Sequence, residues 1–281
     1  MISPLTKWLG RAEQTSDVIA AGPAARLAAT LDRDTTAWEA GTPLPELWHW
    51  LYFLPAHPQR EIGPDGHVRR GGFLPPVPLP RRMWAGGRFG FLAPLRIGDT
   101  VLRTSRIVDI SEKHGRSGAL VFVRVQHEIA RDVGLALTEA HDIVYRDSPG
   151  LDAPGAAPEP APTDEAFART VEPTPVLLYR YSALTFNGHR IHYDRDYCRE
   201  VEGYPGLVVH GPLIATLMVE LLHCERPAAR LRSFAFKAVR PLFDVATFEV
   251  CGRFDSDGQT AHLWARDHEG HLAMDARAQL A

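Results

Sequence analysis

The stretch HGPLIATLMVELLHC, His210 to Cys224, decides the fold. Leu213, Ile214, Leu217, Met218, Leu221 and Leu222 recur at helical period and build one broad apolar stripe. Pro212 suits a first helical turn, where its missing N–H costs nothing, and Gly211 before it lets the backbone bend and come close to a ligand. The spacing predicts a helix over Gly211–Cys224, of the kind a sheet can wrap.

Strands for that sheet follow directly. The runs Ser233–Val239, Ala246–Phe254, Gln259–Asp267 and Leu272–Leu280 are β-rich, with Asp257-Gly258 and Glu269-Gly270 as hairpin turns. A similar series, Thr100–Ile110, Ala119–Ala130 and Ala136–Tyr145, closes the first half. Its opening phrase, Ala93 to Asp99 (APLRIGD), resembles Val239 to Asp244 (VRPLFD). A duplicated unit is the economical reading, and the expected class is α+β. In the first half the best helix candidate is Pro23–Leu31, shorter and less apolar, so a working site is expected in the second half alone.

Between the halves Ser148 to Pro162 is rich in proline, alanine and glycine. The expected organisation is a first domain over 1–147, a linker over 148–170 and a second domain over 171–281. Thr35 to Met83, rich in Trp, Pro and Gly and without a steady period, reads as a long ordered insertion that either lines a pocket or packs as an arm.

The 281 residues are 45% hydrophobic and 23% charged, ordinary values for a chain with a packed core. A net charge of -3, from 31 basic and 34 acidic residues, gives no field to attract nucleic acid. Cys198, Cys224 and Cys251 form neither a CxxC pair nor a disulfide framework. No signal peptide and no apolar run of about 18 residues occurs, so no membrane partner is expected and a cytoplasmic location is.

The densest polar cluster is Asn187-Gly188-His189-Arg190-Ile191-His192-Tyr193-Asp194, with His210 just before the long helix. It offers a base near neutral pKa, a polar group to fix water, and helix N–H donors for a developing oxyanion. Asp194 reads as the N-cap of a short helix over Arg195–Val201. His189-x-x-His192 with Asp194 is a poor zinc set on an irregular segment, so no metal is expected. Neither a G-x-S-x-G elbow nor a G-x-G-x-x-G run is present, and no cofactor is expected.

The run Phe186 to His192, with His210-Gly211 further on, resembles the G-D-x-N-P-x-H motif and H-G pair of the MaoC-like hot-dog hydratase and dehydratase family. The resemblance extends from about Leu9 to the end of the chain. It implies a double hot dog, two antiparallel sheets each wrapped around a helix, and a hydro-lyase acting on an α,β-unsaturated acyl-CoA, with a branched C5 dicarboxylyl thioester as the best-fitting substrate. It places Asn187, His192 and Gly211 in catalysis: His192 as general base, Asn187 as the water-orienting group and Gly211 N–H as donor to the thioester oxygen. His189, Arg190 and His210 become candidates for substrate binding, with Arg180 and Arg195 as further anion-binding candidates. Asn187 stands where the general motif has aspartate, and His189 where it has asparagine, which leaves His192 as the sole base. Hydration is then expected to fall below about pH 6.5, as an unperturbed histidine becomes charged. A homodimer is compatible with such folds. The alternatives are a hot-dog thioesterase, for which Glu220 lies too deep along the helix, and a noncatalytic acyl-thioester-binding subunit.

Overall fold

The computed structural model describes residues 5–33, 38–115, 118–147 and 157–281. The start of the expected insertion, the tip of the turn at 116–117 and the first part, 148–156, of the linker expected over 148–170 lie outside the described residues.

Ten strands form one antiparallel sheet in the order β1-β3-β4-β5-β2-β7-β10-β9-β8-β6. The first half supplies β1 (Ala12–Val18), β2 (Arg81–Phe91), β3 (Thr100–Gly115), β4 (Gly118–Arg131) and β5 (Gly134–Arg146). The second supplies β6 (Phe167–Val171), β7 (Leu231–Ala238), β8 (Phe248–Phe254), β9 (Thr260–Arg266) and β10 (Leu272–Leu280). Read from each edge inward, both halves have the same strand order, and they meet at β2 and β7. Three strands escaped the sequence reading. β1 has an exposed, polar pattern. β6 falls inside the stretch expected to be linker, where Ala161 is also buried and bonds Gly270. β2 carries Gly86, Gly87 and Gly90, residues that ordinarily argue against a strand. At Gly86 a Cβ would sit 2.6 Å from the Phe236 carbonyl oxygen, so glycine is what lets the two halves join there.

The helices are α1 (Ala21–Thr30), α2 (Pro175–Leu184), α3 (Arg195–Glu200) and α4 (Gly211–Glu225). Helix α4 is buried at every position from Leu213 to Leu222, so it is a core helix rather than an amphipathic one, and it packs against β6, β8 and β9. Helix α1 occupies nearly the predicted span, but it follows β1 as α2 follows β6, and α1 and α2 pack together. Its counterpart is therefore α2, and among the described residues the first half has no equivalent of α4. Residues 38–80 take that place.

Buried polar anchors hold this segment down. Trp48 Nε1–H donates to Glu220 of α4 at 3.0 Å, and Arg33 donates to both oxygens of the same carboxylate at 3.1 and 2.9 Å. Trp50 Nε1–H donates to Glu139 of β5 at 2.8 Å, and His49 Nε2 shares a 2.9 Å hydrogen bond with its other oxygen. Burial raises the Glu139 pKa, but His141 and His49 outweigh that and hold it well below the usual carboxylate range. Replacing Glu139 by Ala strands these buried donors. Urea unfolding is expected to show a loss of about 3 kcal/mol, whereas Glu139→Gln retains an acceptor and loses less.

Candidate active site

The site begins at the end of α2. Asn187 N–H bonds the Ser182 carbonyl at 2.8 Å and Phe186 N–H bonds the Ala183 carbonyl, the pairing of a Schellman cap. The left-handed residue is Phe186, at φ 49, where glycine is usual. This reversal throws the chain outward, and Asn187 Oδ1 then accepts the His189 N–H at 3.0 Å, which leaves the Asn187 amide NH2 as its unused donor.

His192 lies in the short 3-10 turn Arg190–His192 and is 7% exposed. Its Nδ1 is 2.7 Å from the Val208 carbonyl oxygen. A carbonyl can only accept, so Nδ1 carries the proton and Nε2 carries the lone pair. The His210 ring stacks on His192 with centroids 3.6 Å apart and planes 17° apart. His210 is 1% exposed and its Nε2 shares a 2.8 Å hydrogen bond with Ser182. That burial makes it a backing plate for His192, against the expectation that it meets substrate. Gly211 opens α4 immediately afterwards, and its N–H has no partner among the described residues.

The first half contributes what the sequence reading missed. The turn at 63–67 docks on the Asn187–Arg190 loop, with Arg190 N–H bonding the Asp65 carbonyl at 2.9 Å and its guanidinium bonding that of Pro64 at 3.0 Å. Gly66, at φ 89, sits so close to Gly188 that a Cβ would fall 1.8 Å from the Gly188 oxygen. Docking brings the His67 ring to 4.0 Å from His189, and Asp65 Oδ2 to 3.2 Å from His67 Nδ1. A Gly-Pro-Asp-Gly turn is the only sequence trace of this contact. The long insertion thus lines the site.

Asp65, His67 and His189 present three metal-type donor atoms within 4.8 Å of one another. The hydrogen bond between Asp65 and His67 already accounts for their closeness. Burial lowers the pKa of all four histidines. His192 is pushed down to about 4, with the Val208 bond opposing, and His189 to about 2, helped by His67 and His192. His67 is lowered and His210 well lowered. Arg190 is tied to Asp194 at 3.0 and 2.8 Å, and Arg195 to Asp244, so neither is an open anion receptor; Arg180 is exposed. Asp194 caps α3 through the Tyr197 N–H, as expected.

With this geometry in place, the model of the family "Hydroxyacyl-thioester dehydratase type 2" matches residues 47–244. The chain belongs to that family. It is 49% identical over 276 residues to a mesaconyl-C(4)-CoA hydratase of Chloroflexus aurantiacus, covering 97% of this chain and 96% of that one. A mitochondrial hydroxyacyl-thioester dehydratase type 2 of Schizosaccharomyces pombe is 26% identical, covering 84% and 82%. Among solved structures, a MaoC-like dehydratase superposes with a TM-score of 0.73 at 14% identity, covering 98% of this chain and 99% of that one. A Mycobacterium tuberculosis protein with a double hot-dog fold superposes at 0.56 and 14% identity, covering 97% and 96%. The fold is the expected double hot dog, except that the two sheets join into one at β2 and β7 and, among the described residues, the second half alone has a central helix; the family makes the chain a hydro-lyase of acyl thioesters. No helix among the described residues is long and apolar enough to cross a membrane.

Burial of His192 corrects the pH expectation. The neutral ring is lost only as pH falls through about 4, so kcat/KM for hydration is expected to stay level from pH 8 to 5, and a limb near 6.5 would contradict the site. Over pH 6.5 to 4 the unfolded chain takes up protons that these buried rings refuse, so stability declines with falling pH in that window, which tryptophan fluorescence monitors alongside.

Proposed function

We propose that the protein hydrates mesaconyl-C4-CoA, the 3-methylfumaryl thioester, in the cytoplasm. The observation that carries the mechanism is the Nδ1–H bond of His192 to Val208, because it leaves Nε2 as an unprotonated base at neutral pH. The Asn187 amide donates to the oxygen of a water, and Nε2 takes one of its protons. The hydroxyl adds to the β-carbon, the double-bond electrons pass to the thioester as an enolate, and its oxygen accepts the Gly211 N–H. A donor at a helix start carries partial positive charge as well as an unpaired N–H, and losing such a donor typically costs ~100- to 1000-fold in rate. His192 then returns its proton to the α-carbon, so one water is added and the base is regenerated.

The identity to the Chloroflexus aurantiacus hydratase supports this substrate, and the Asn187, His192 and Gly211 set supports a catalytic chain over a binding subunit. A thioesterase reading loses its acid, since Glu220 is held by Arg33 and Trp48. The test is the enoyl-thioester absorbance when purified protein meets mesaconyl-C4-CoA and crotonyl-CoA. Wild type is expected to remove it, with His192→Ala at least ~100-fold slower. Release of free thiol without loss of the double bond would contradict the reading.

A further inference from the structure

Every second residue of β3, β4 and β5 points to one face of the sheet, the face that residues 49–55 cover. Val101, Ile129 and Leu137 at one end of this face, and Ile107, Val125 and Tyr145 at the other, are buried and apolar. Between them runs a polar band: Arg103 and Ser105 on β3, His127 on β4, Glu139 and His141 on β5. The band is in register, with Ser105 opposite His127 and His127 opposite Glu139. In the second half the matching strands β8 and β9 put Phe248, Val250, Ala261, Leu263 and Ala265 into the core with α4. Five polar side chains on a core face cost stability unless each is answered, and such a departure from apolar patterning marks a functional place.

Part of the band is answered from within, since Trp50, His49 and His141 all bond Glu139. The rest is not. Arg103 and His127, with Trp50, Tyr52, Phe53 and Ile129, line a cavity of about 180 Å³. A cavity of about 150 Å³ is enough for benzene, so this one has room for a small organic acid. None of its lining residues belongs to the site around His192.

Both polar groups bring an unanswered donor to the cavity wall. Arg103 donates from Nη2 to the Phe53 carbonyl at 3.4 Å, makes no ion pair among the described residues, and keeps its buried Nε–H without a partner. Burial, with His141 adding to it, pushes the His127 pKa down to about 3, so its ring is neutral and carries one proton. Nδ1 lies 2.8 Å from the Ser105 hydroxyl, which has no other partner among the described residues. The hydroxyl therefore donates to Nδ1, and the proton of the ring sits on Nε2, also buried and without a partner. Phe53, whose ring lies 5.0 Å from the guanidinium, is buried at φ 58, where a bulky residue is rare; strain of this kind clusters at ligand sites. A cation and an N–H donor in a small, otherwise apolar pocket suit a carboxylate on a short hydrocarbon body.

We propose that this pocket of the first half is a binding site for a small carboxylate, held by Arg103 and by His127 Nε2–H. The carboxylate belongs either to a short organic acid in solution or to the acyl end of a thioester.

The experiment is calorimetric titration of butyrate, and of butyramide as its uncharged counterpart, into wild type, Arg103→Gln and His127→Leu. Wild type is expected to bind butyrate at least ~10-fold more tightly than butyramide, with Arg103→Gln weakening butyrate at least ~30-fold and His127→Leu about tenfold. Failure of wild type to bind butyrate overturns the proposal. So does equal binding of butyramide, or a Kd within about threefold of wild type in whichever variant folds. Hydration of crotonyl-CoA with butyrate present separates the two sources: a raised KM that Arg103→Gln abolishes assigns the pocket to the acyl end, and an unchanged KM assigns it to an acid in solution. The titration needs no turnover, so it stands even if the hydratase reading fails.

Discussion

Everything at the site depends on the direction of one hydrogen bond, from His192 Nδ1–H to the Val208 carbonyl at 2.7 Å. The acceptor is held on both sides. Val208 N–H bonds the Ile191 carbonyl at 2.8 Å, and Val209 N–H bonds that of Leu242 at 2.9 Å, so the strap before α4 cannot turn its carbonyl away. Behind the ring, His210 is locked between Ser182 and the stack. Beyond it, α4 is buried on all sides, and such a helix cannot shift without opening the core. The ring, its tautomer and the open Gly211 N–H are thus consequences of core packing, delivered to one place by a single helix start.

Duplication explains why the other half is needed. Both halves repeat one strand order, yet the first has given up the central helix and filled the space with residues 38–80. Glu139 and Glu220 pin this segment to the sheet and to α4. Its turn at Gly66 then presses Asp65 and His67 onto the histidine loop of the second half. The half without the histidine motif has become a wall of the site.

What could be read from the sequence follows physical lines. Hairpin strands announced themselves through β-rich runs separated by Asp-Gly and Glu-Gly turns, and β10 has the expected bounds. Helix α4 showed its period and its start. The motif residues were legible because they are contiguous, so local geometry brings Asn187, His189 and His192 together whatever the rest does. By contrast β2 was hidden by the glycines that its seam with β7 requires, and β6 by its shortness, five residues just beyond a proline-rich stretch. His67 could not be found because its contact runs through the backbones of Gly66 and Gly188, which impose no period. The acid limb that an unperturbed histidine puts near pH 6.5 is expected lower, because burial, a property of the assembled fold, lowers the His192 pKa.

The most direct test of this account is the state of the His192 ring, read from its nitrogen chemical shifts in selectively labelled protein at neutral pH. The account predicts a neutral imidazole with the proton on Nδ1 and a bare Nε2. An imidazolium, or a neutral ring with its proton on Nε2, would contradict it, because neither leaves a lone pair on Nε2 to receive a proton from water.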